Sequence, residues 1–421
     1  MLKLPTLAAL LAVIGALGTS SSVSADGSAM IPRESDSFVD SIGVDTHFNY
    51  NNTPYVQMWP AISSQLVASG IRHIRDGGKP TSQYLARLYY LGEHGIKHAA
   101  GFDIHSTSDQ IRSRLTAFAP YVDFVEPANE YDHYRNQDSA WASELADEQR
   151  LLYTTVHGDP AYAGITVLGP AMATHPLYGE LGNLEQFEDA GNIHNGTCNK
   201  NPGTDGHAGM VFVTAQVRKS TPTKPIWTTE TGYNDDPVRP CAIPDDIIAK
   251  YDPRTVAERF NFGQPKTYFY QLANMPEDRV FGGQGLLFED GNPKPQFTAL
   301  TSMIALLTDR GPDFQVQPVN ITIDAPPTVH HTLLEKRTGV YELLLWVEEP
   351  AWKPISYNNV GGVRIPVATQ SVVVHTPASL HVSRYYTYNP AWQLTGSLAN
   401  QTPRGDIRLD VSDSMSILEL R

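Results

Sequence analysis

Short apolar runs alternate with longer segments of helical character from about residue 37 to residue 308. This alternation is typical of parallel βαβ units, in which each strand is followed by a helix that crosses back over the sheet. The predicted strands lie near residues 41–44, 71–74, 95–100, 122–125, 165–168, 191–194, 225–228 and 285–288, with a long helix at 254–272. Eight such units predict an α/β fold, a (β/α)8 TIM barrel over residues 37–308.

The pattern changes after Thr308, where Asp309-Arg310-Gly311-Pro312 forms a turn-rich break. Short β-like runs separated by turn residues follow, and they predict a β-sandwich accessory domain over residues 313–421. Two roles remain open for it, a rigid support for the barrel or a polysaccharide-binding module. The short linker favours the support, whereas the module would use Trp346 and Trp352 as sugar contacts.

The N-terminus has the features of an export signal. Lys3 precedes an apolar run at residues 7–17, and the small residues Val23-Ser24-Ala25 offer a cleavage site. The run is shorter than the roughly 20 residues of a membrane span. We therefore predict a signal peptide at residues 1–25 and a secreted or periplasmic protein that does not contact the membrane after cleavage.

The chain has two cysteines, Cys198 and Cys241. In an exported protein, an even pair predicts a disulfide bond. The two residues follow the predicted sixth and seventh strands, so the bridge would join two loops at the same end of the barrel.

Acidic residues outnumber basic residues by 45 to 31, which gives a net charge of -14. An acidic surface repels phosphate backbones, so nucleic acid is not an expected partner.

Active sites of such barrels lie at the C-terminal ends of the strands. Asn129-Glu130 follows the predicted fourth strand, and Glu230 follows the seventh. These strands lie across the barrel mouth from each other, so their carboxylates can face one substrate. Retaining cleavage of a glycosidic bond needs two carboxylates about 5 Å apart, one a neutral acid and the other an ionised nucleophile. Alternatively, Glu130 is a surface acid beside Asp132, and Glu230 is a helix N-terminal acid.

This arrangement of Asn129, Glu130 and Glu230 resembles glycoside hydrolase clan A, the retaining (β/α)8 enzymes. The resemblance implies that Glu130 is the acid/base and Glu230 the nucleophile of a secreted glycosidase that cleaves oligo- or polysaccharides by double displacement. It implies no cofactor and no metal. The C-terminal sandwich is similar to the accessory β domain that several clan A families carry.

The resemblance also implies a cation near the nucleophile. Arg75 follows the predicted second strand, where clan members often hold an arginine that would keep Glu230 ionised. Two alternatives remain open: Arg75 forms a surface ion pair with Asp76, or Arg72 takes the role instead.

Other strand ends offer substrate contacts. Asp45 and His47 follow the first strand, and Asp103 and His105 follow the third; all four suit hydrogen bonds to sugar hydroxyls, although aspartates also cap loops. His194 ends the sixth strand, where clan relatives often carry a histidine that contacts the substrate or nucleophile.

Aromatic residues could bind sugar rings. Phe288 ends the predicted eighth strand, where many clan members have a tryptophan, and Glu289 adds a third carboxylate there. Tyr233 could orient Glu230 through its hydroxyl group, or pack in the core. Three loop aromatics could form stacking subsites or simply pack, namely Trp59, Trp141 and Tyr131.

Two further functions remain open. Asp45, His47, Asp103, His105 and His194 could form the metal site of a barrel hydrolase, although they make no complete ligand set. A non-catalytic carbohydrate-binding barrel would keep the aromatic residues without needing two opposed glutamates.

Overall fold

The structure is a computed structural model that describes residues 29–196, 198–203, 209–278, 280, 282–355, 360–398 and 405–421. The predicted signal peptide lies outside the described residues. None of the described helices combines the length and the apolar composition needed to cross a bilayer.

Eight parallel strands form the barrel. They are β1 (Ile42–Asp45), β2 (His73–Arg75), β3 (Lys97–Gly101), β4 (Val122–Glu126), β5 (Thr166–Val167), β6 (Gly191–His194), β7 (Ile226–Thr231) and β8 (Thr267–Phe269). Consecutive strands pair from β1 to β5 and from β6 to β8, and β8 pairs with β1. Main-chain hydrogen bonds close the ring between β5 and β6, from Asp189 N to Val167 O at 2.7 Å and from Gly169 N to Ala190 O at 2.8 Å. The predicted (β/α)8 barrel is confirmed.

The predicted position of the eighth strand is wrong. Residues 285–288 form no strand, and Leu287 makes only isolated bridges to Ala273 and Pro293. The strand is Thr267–Phe269, which lies inside the segment predicted as a helix at 254–272. A three-residue strand is too short to show a period, whereas a short apolar run in a connecting segment gives the same pattern as a buried strand.

Helices cover the outside of the barrel. They are α1 (Ser35–Asp40), α2 (Pro54–Gln57), α3 (Trp59–Ser69), α4 (Ser82–Glu93), α5 (Ser108–Phe118), α6 (Trp141–His157), α7 (Met210–Val217), α8 (Asp245–Asn261) and α9 (Pro295–Leu307). Gly70 ends α3 at φ 79°, a conformation that favours glycine. A Cβ there would lie 2.7 Å from Ile304 of α9, so glycine also permits close helix packing.

The C-terminal strands are β9 (Thr322–Asp324), β10 (Val329–Glu335), β11 (Tyr341–Val347), β12 (Trp352–Pro354), β13 (Gly362–Arg364), β14 (Gln370–His375), β15 (Val382–Tyr388), β16 (Leu394–Leu398), β17 (Asp406–Val411) and β18 (Ser416–Leu420). One sheet has the order β10-β11-β18-β15-β16, and a second has the order β9-β14-β17. Apolar residues of both sheets form one core, including Leu343, Val374 and Leu418. The predicted β-sandwich is confirmed. Its large sheet also receives Arg33–Glu34, which pairs with β10.

The sandwich packs closely against helix α8 of the barrel. Trp346 is fully buried, and its Nε1 donates a hydrogen bond to Glu258 of α8 at 3.0 Å. The fully buried Arg254, also on α8, forms an ion pair with Glu348 at 2.7 Å. Trp346 is therefore a core residue and not a surface sugar contact. The half-buried Trp352 packs against the cluster around Tyr251, and these contacts favour the role of a rigid support.

Candidate active site

A cleft of about 1270 Å³ opens at the C-terminal ends of the barrel strands. Residues that follow each of the eight strands contribute to its lining. Eight of the residues predicted for catalysis or substrate contact line this one cleft, namely Glu130, Glu230, Asn129, Arg75, Asp45, His47, Asp103 and His194.

The two glutamates approach each other across the cleft. One carboxylate oxygen of Glu130 and one of Glu230 lie within 4.8 Å of each other. His194 stands between them, with its Nδ1 2.7 Å from Glu130 Oε1 and 3.6 Å from Glu230 Oε2. Carboxyl groups of retaining glycosidases are about 5–5.5 Å apart, whereas the inverting reaction needs a wider gap for a water molecule. The bound of 4.8 Å between the nearest oxygens fits the shorter of these two separations.

The backbone at Glu130 is unusual. Its φ of 46° and ψ of 44° lie in the left-handed region, which costs a residue with a Cβ about 1–2 kcal/mol. The neighbouring Asp132 is fully buried and accepts hydrogen bonds from Ala173 N and Thr174 N. Asp132 thus anchors the loop after β5 and does not form an exposed acidic patch with Glu130.

Arg75 holds the base of the site together. Its Nη1 donates to Glu230 Oε1 at 2.6 Å, its Nε to Glu126 Oε1 at 2.6 Å and its Nη2 to Asn129 Oδ1 at 2.7 Å. Burial lowers the pKa of Arg75, but the charges of Glu126, Glu230 and Asp45 outweigh it and raise that pKa well above its usual value. A permanent cation therefore lies beside the Glu230 carboxylate.

Neither alternative for the arginine holds. Asp76 is buried and accepts hydrogen bonds from the Thr46 hydroxyl at 2.9 Å and from Phe48 N at 2.8 Å. In the described part of the chain, Arg75 forms its ion pairs with Asp45, Glu126 and Glu230 and not with Asp76. Arg72 forms a 2.7 Å ion pair with Asp36 of α1 and does not line the cleft.

Asp45 is a buried acid in the cleft, with 1% of its surface exposed. Arg75 Nη1 is 3.8 Å from its carboxylate, but neither oxygen has a hydrogen-bond partner among the described residues. Burial raises the pKa of Asp45 well above its usual value; Arg75 opposes this, and Glu230 and Glu126 add to it. One guanidinium thus lies near three carboxylates, and it donates hydrogen bonds to Glu126 and Glu230 but not to Asp45.

Aromatic rings form one wall of the cleft beside Asp45. His47 stacks on Tyr50 at 4.7 Å between ring centroids and meets Tyr270 edge-on at 5.6 Å. Burial, with a smaller effect of Arg75, lowers the pKa of His47 to about 4, so this ring is neutral at pH 7. Tyr270 directly follows β8 and lines the cleft, so the aromatic residue at this strand end is Tyr270 and not Phe288.

Phe288, Tyr233 and His105 lie outside the cleft lining. The strand end predicted at Phe288 does not exist. The Phe288 ring lies 5.4 Å from Lys294 Nζ and does not line the cleft. Tyr233 is buried, with its ring 5.4 Å from that of Tyr251, so the packing interpretation holds for it.

His105 has a φ of 65° and keeps 68% of its side chain exposed. Asp103, two residues earlier, reaches the rim, where it lies 3.9 Å from Arg114. The three loop aromatics proposed as stacking subsites also lie outside the lining, namely Trp59, Trp141 and Tyr131.

The predicted disulfide bond between Cys198 and Cys241 is present. It joins the loop after β6 to the loop after β7, which carries the segment beyond Glu230. The first of these loops also contacts the sandwich, since Asn201 Nδ2 and Gly203 N donate to Glu348 Oε1 at 2.7 and 2.8 Å.

Several polar groups that were not predicted from the sequence form hydrogen bonds around the two glutamates. Glu126 ends β4 and binds Arg75, while Asn192 of β6 and Thr229 of β7 extend a hydrogen-bond chain to His194. His133 Nε2 lies 3.1 Å from Glu130 Oε2. Polar residues inside otherwise apolar strands indicate such supporting groups in the sequence, because polar side chains are buried in a barrel only when they are hydrogen-bonded.

The ligand set of the metal alternative does not assemble. Asp45 faces Arg75, while Asp103 and His105 are largely exposed at the rim. Glu130, His194 and Glu230 do bring three donor atoms within 4.8 Å of one another among the described residues. The guanidinium of Arg75 already occupies one oxygen of Glu230 and would repel a divalent cation there.

Comparisons with solved structures place the chain among glycoside hydrolase folds. It is similar to a family 39 glycoside hydrolase from the gut symbiont Bacteroides cellulosilyticus WH2, with a TM-score of 0.58 and 16% identity over 93% of this chain and 83% of that one. A glucosidase from Croceicoccus marinus gives a TM-score of 0.61 and 11% identity, covering 93% and 97% of the two chains. A GH51 arabinofuranosidase from Xanthomonas axonopodis pv. citri gives 0.55 and 12%, covering 94% and 98%.

No protein-family model matches the chain, and no curated protein matches it. At these identities the likeness concerns the fold alone. The predicted resemblance to clan A is confirmed at that level, as a (β/α)8 barrel that carries a β-sandwich domain.

Proposed function

We propose that the protein is a secreted, retaining glycoside hydrolase that cleaves O-glycosidic bonds of oligo- or polysaccharides by double displacement. Glu130 is the acid/base and Glu230 the nucleophile. The observation that carries the proposal is the separation of at most 4.8 Å between their carboxylate oxygens in a common cleft. The fold shared with glycoside hydrolases supports it independently.

The surroundings of the two acids suit different tasks. Glu230 accepts a 2.6 Å hydrogen bond from Arg75, which holds a negative oxygen ready for attack. Glu130 instead contacts the imidazoles of His194 and His133, which can exchange protons with it. This division of environments matches a nucleophile and an acid/base pair.

The reaction follows from these positions. Glu230 attacks the anomeric carbon while Glu130 gives its proton to the leaving oxygen, and the bond between that oxygen and the carbon breaks. Water then enters on the side of Glu130, which takes a proton from it. The resulting hydroxyl group attacks the anomeric carbon, releases Glu230 as a carboxylate and keeps the original configuration.

The cleft fits a substrate larger than one sugar unit. Its volume of about 1270 Å³ exceeds the roughly 300–1000 Å³ of pockets that enclose a single small molecule. The predicted signal peptide and the disulfide bond between two cleft loops agree with a protein that works outside the reducing cytosol.

A screen of aryl glycosides and of plant and microbial polysaccharides, with the product anomer followed by NMR, tests the proposal. We expect turnover of at least one substrate with retention of configuration, and unchanged turnover in EDTA. Inversion, or loss of activity in EDTA with recovery on adding a divalent ion, would contradict the mechanism. Sugar binding without turnover by the wild type would instead support a carbohydrate-binding protein.

A further inference from the structure

His194 connects the proposed acid/base to a buried chain of polar side chains. Its Nδ1 lies 2.7 Å from Glu130 Oε1, and its Nε2 lies 3.1 Å from Thr229 Oγ1. A neutral imidazole has one nitrogen that donates and one that accepts, and the second contact decides which is which. The tautomer of His194 therefore decides whether Glu130 Oε1 faces an N–H group or a lone pair on Nδ1.

The direction of the hydrogen bonds can be traced from Glu126. Arg75 Nε donates to Glu126 Oε1, and Asn192 Nδ2 donates to Glu126 Oε2 at 3.2 Å, which turns the amide oxygen of Asn192 towards Thr229. The Thr229 hydroxyl donates its one hydrogen to Asn192 Oδ1 at 2.7 Å. Its oxygen must then accept the hydrogen bond from His194 Nε2. Asn192 and Thr229 are fully buried, so water does not compete for these bonds.

A hydrogen on Nε2 leaves a lone pair on Nδ1 of the neutral ring. Two atoms 2.7 Å apart that both offer lone pairs repel each other, so the contact with Glu130 Oε1 requires a proton between them. The proton belongs either to a neutral Glu130 or to an imidazolium that faces the Glu130 carboxylate. In both cases the pair stores one proton at the place where the leaving oxygen needs it.

We infer that Asn192 and Thr229 are positioning residues that fix the Nε2–H tautomer of His194 and thereby keep the acid-catalyst proton in the Glu130–His194 hydrogen bond. The inference rests on the proposed function for its catalytic meaning, but the tautomer itself follows from the contacts. Once Glu130 has given its proton to the leaving oxygen, its carboxylate faces the Nδ1 lone pair. That repulsion makes Glu130 a stronger base when water must be deprotonated.

Two neighbouring histidines affect the pKa of Glu130. Burial raises the pKa of Glu130, but the hydrogen bonds and charges of His194 and His133 outweigh it and lower that pKa to about 2. The groups that face the pair come from four parts of the barrel: His133 after β4, His175 on the main-chain oxygen of His194, Glu230 on β7 and, behind Glu230, Arg75 on β2.

The tautomer can be measured by 15N NMR on the full-length protein with 15N-labelled histidine, using His194→Gln to identify the signals. We expect His194 Nε2 to remain protonated after the ring becomes neutral at high pH, while Nδ1 shows the shift of an acceptor. Thr229→Val should allow the Nδ1–H tautomer, and Thr229→Ser should keep the wild-type signals. A neutral wild-type ring with a bare Nε2 would overturn the inference, whether or not the protein cleaves glycosides.

The pH profile of kcat/KM on an aryl glycoside with a poor leaving group gives the catalytic consequence. In Thr229→Val, an Nδ1–H group would stabilise the Glu130 carboxylate, so the alkaline limb should move to lower pH and activity at pH 7 should fall about tenfold. Thr229→Ser should restore the wild-type limb. Thr228→Val is the matched control, because Thr228 is equally buried but its hydroxyl contacts Gln264 and Arg259. A Thr229→Val profile identical to that of the wild type would contradict the catalytic role.

Discussion

Arg75 Nη1 donates a 2.6 Å hydrogen bond to Glu230 Oε1, so a residue at the end of β2 fixes the proposed nucleophile at the end of β7. The same guanidinium holds Glu126 and Asn129 through its other nitrogens. Lysine carries the charge but cannot hold three partners in one plane. Arg75 thus supplies the site with both a positive charge and a fixed geometry.

Arg75→Lys should therefore lower kcat/KM by about 100-fold, because the nucleophile would lose its orientation. Arg75→Met should in addition lower the free energy of unfolding by about 3–5 kcal/mol, since it leaves buried carboxylates without their cation. Urea unfolding and steady-state kinetics measure both effects. Arg72→Met removes an ion pair outside the cleft and should leave the activity of the folded protein intact; equal losses for both variants would argue against the assignment.

Glu130→Gln should remove the proton donor while keeping the size of the side chain. We expect a loss of about 10²–10⁴-fold on substrates with poor leaving groups, and a much smaller loss in glycosylation of Glu230 by dinitrophenyl glycosides, whose leaving group needs no proton. Pre-steady-state kinetics on both substrate types give the comparison. Glu144→Gln changes a carboxylate that contacts Tyr131 outside the cleft lining and should have no such leaving-group dependence.

Asp45 should make stability depend on pH. Burial raises its pKa in the folded protein, so above the unfolded value of about 3.9 the folded state binds more protons than the unfolded state. Its contribution to the free energy of unfolding should accordingly fall as pH rises from there to the folded pKa. Asp45→Asn should unfold at a higher temperature than the wild type at pH 8 and lose this advantage near pH 4, with the exposed Asp103→Asn as control. An identical pH dependence for Asp45→Asn and the wild type would show that Asp45 is ionised.

Tyr270 and Phe288 provide a direct test of which aromatic ring contacts the sugar. Tyr270→Leu should raise KM by up to about tenfold, because it removes an aromatic face from the cleft wall. Phe288→Leu should leave KM unchanged, since Phe288 does not line the cleft. A raised KM for Phe288→Leu with an unchanged KM for Tyr270→Leu would instead identify Phe288 as the ring that contacts the sugar.

The disulfide bond between Cys198 and Cys241 should stabilise the fold. The two cysteines are 43 residues apart, and closing a loop of that length lowers the entropy of the unfolded chain by an amount worth about 4 kcal/mol. The double variant Cys198→Ser/Cys241→Ser should show a loss of this order in urea unfolding. If the bridge also shapes the cleft, the variant should have a higher KM at temperatures where it remains folded.

The sequence by itself determined the barrel and the positions of the two glutamates. Alternating strands and helices are a local pattern, and a closed parallel barrel fixes which strand ends face each other. Glu130 after β4 and Glu230 near the end of β7 therefore reach one cleft even though 100 positions separate them.

Only the tertiary structure decided the remaining features. A three-residue β8 is defined by pairing with β1 and β7, so its own sequence could not distinguish it from residues 285–288. The choice of Arg75 over Arg72, the burial of Asp45 and the contacts of His194 all depend on distances of a few ångströms between residues far apart in the chain. Hydrogen bonds and ion pairs form only when two groups lie within a few ångströms of each other. The periodicity of a sequence does not specify which distant residues come that close.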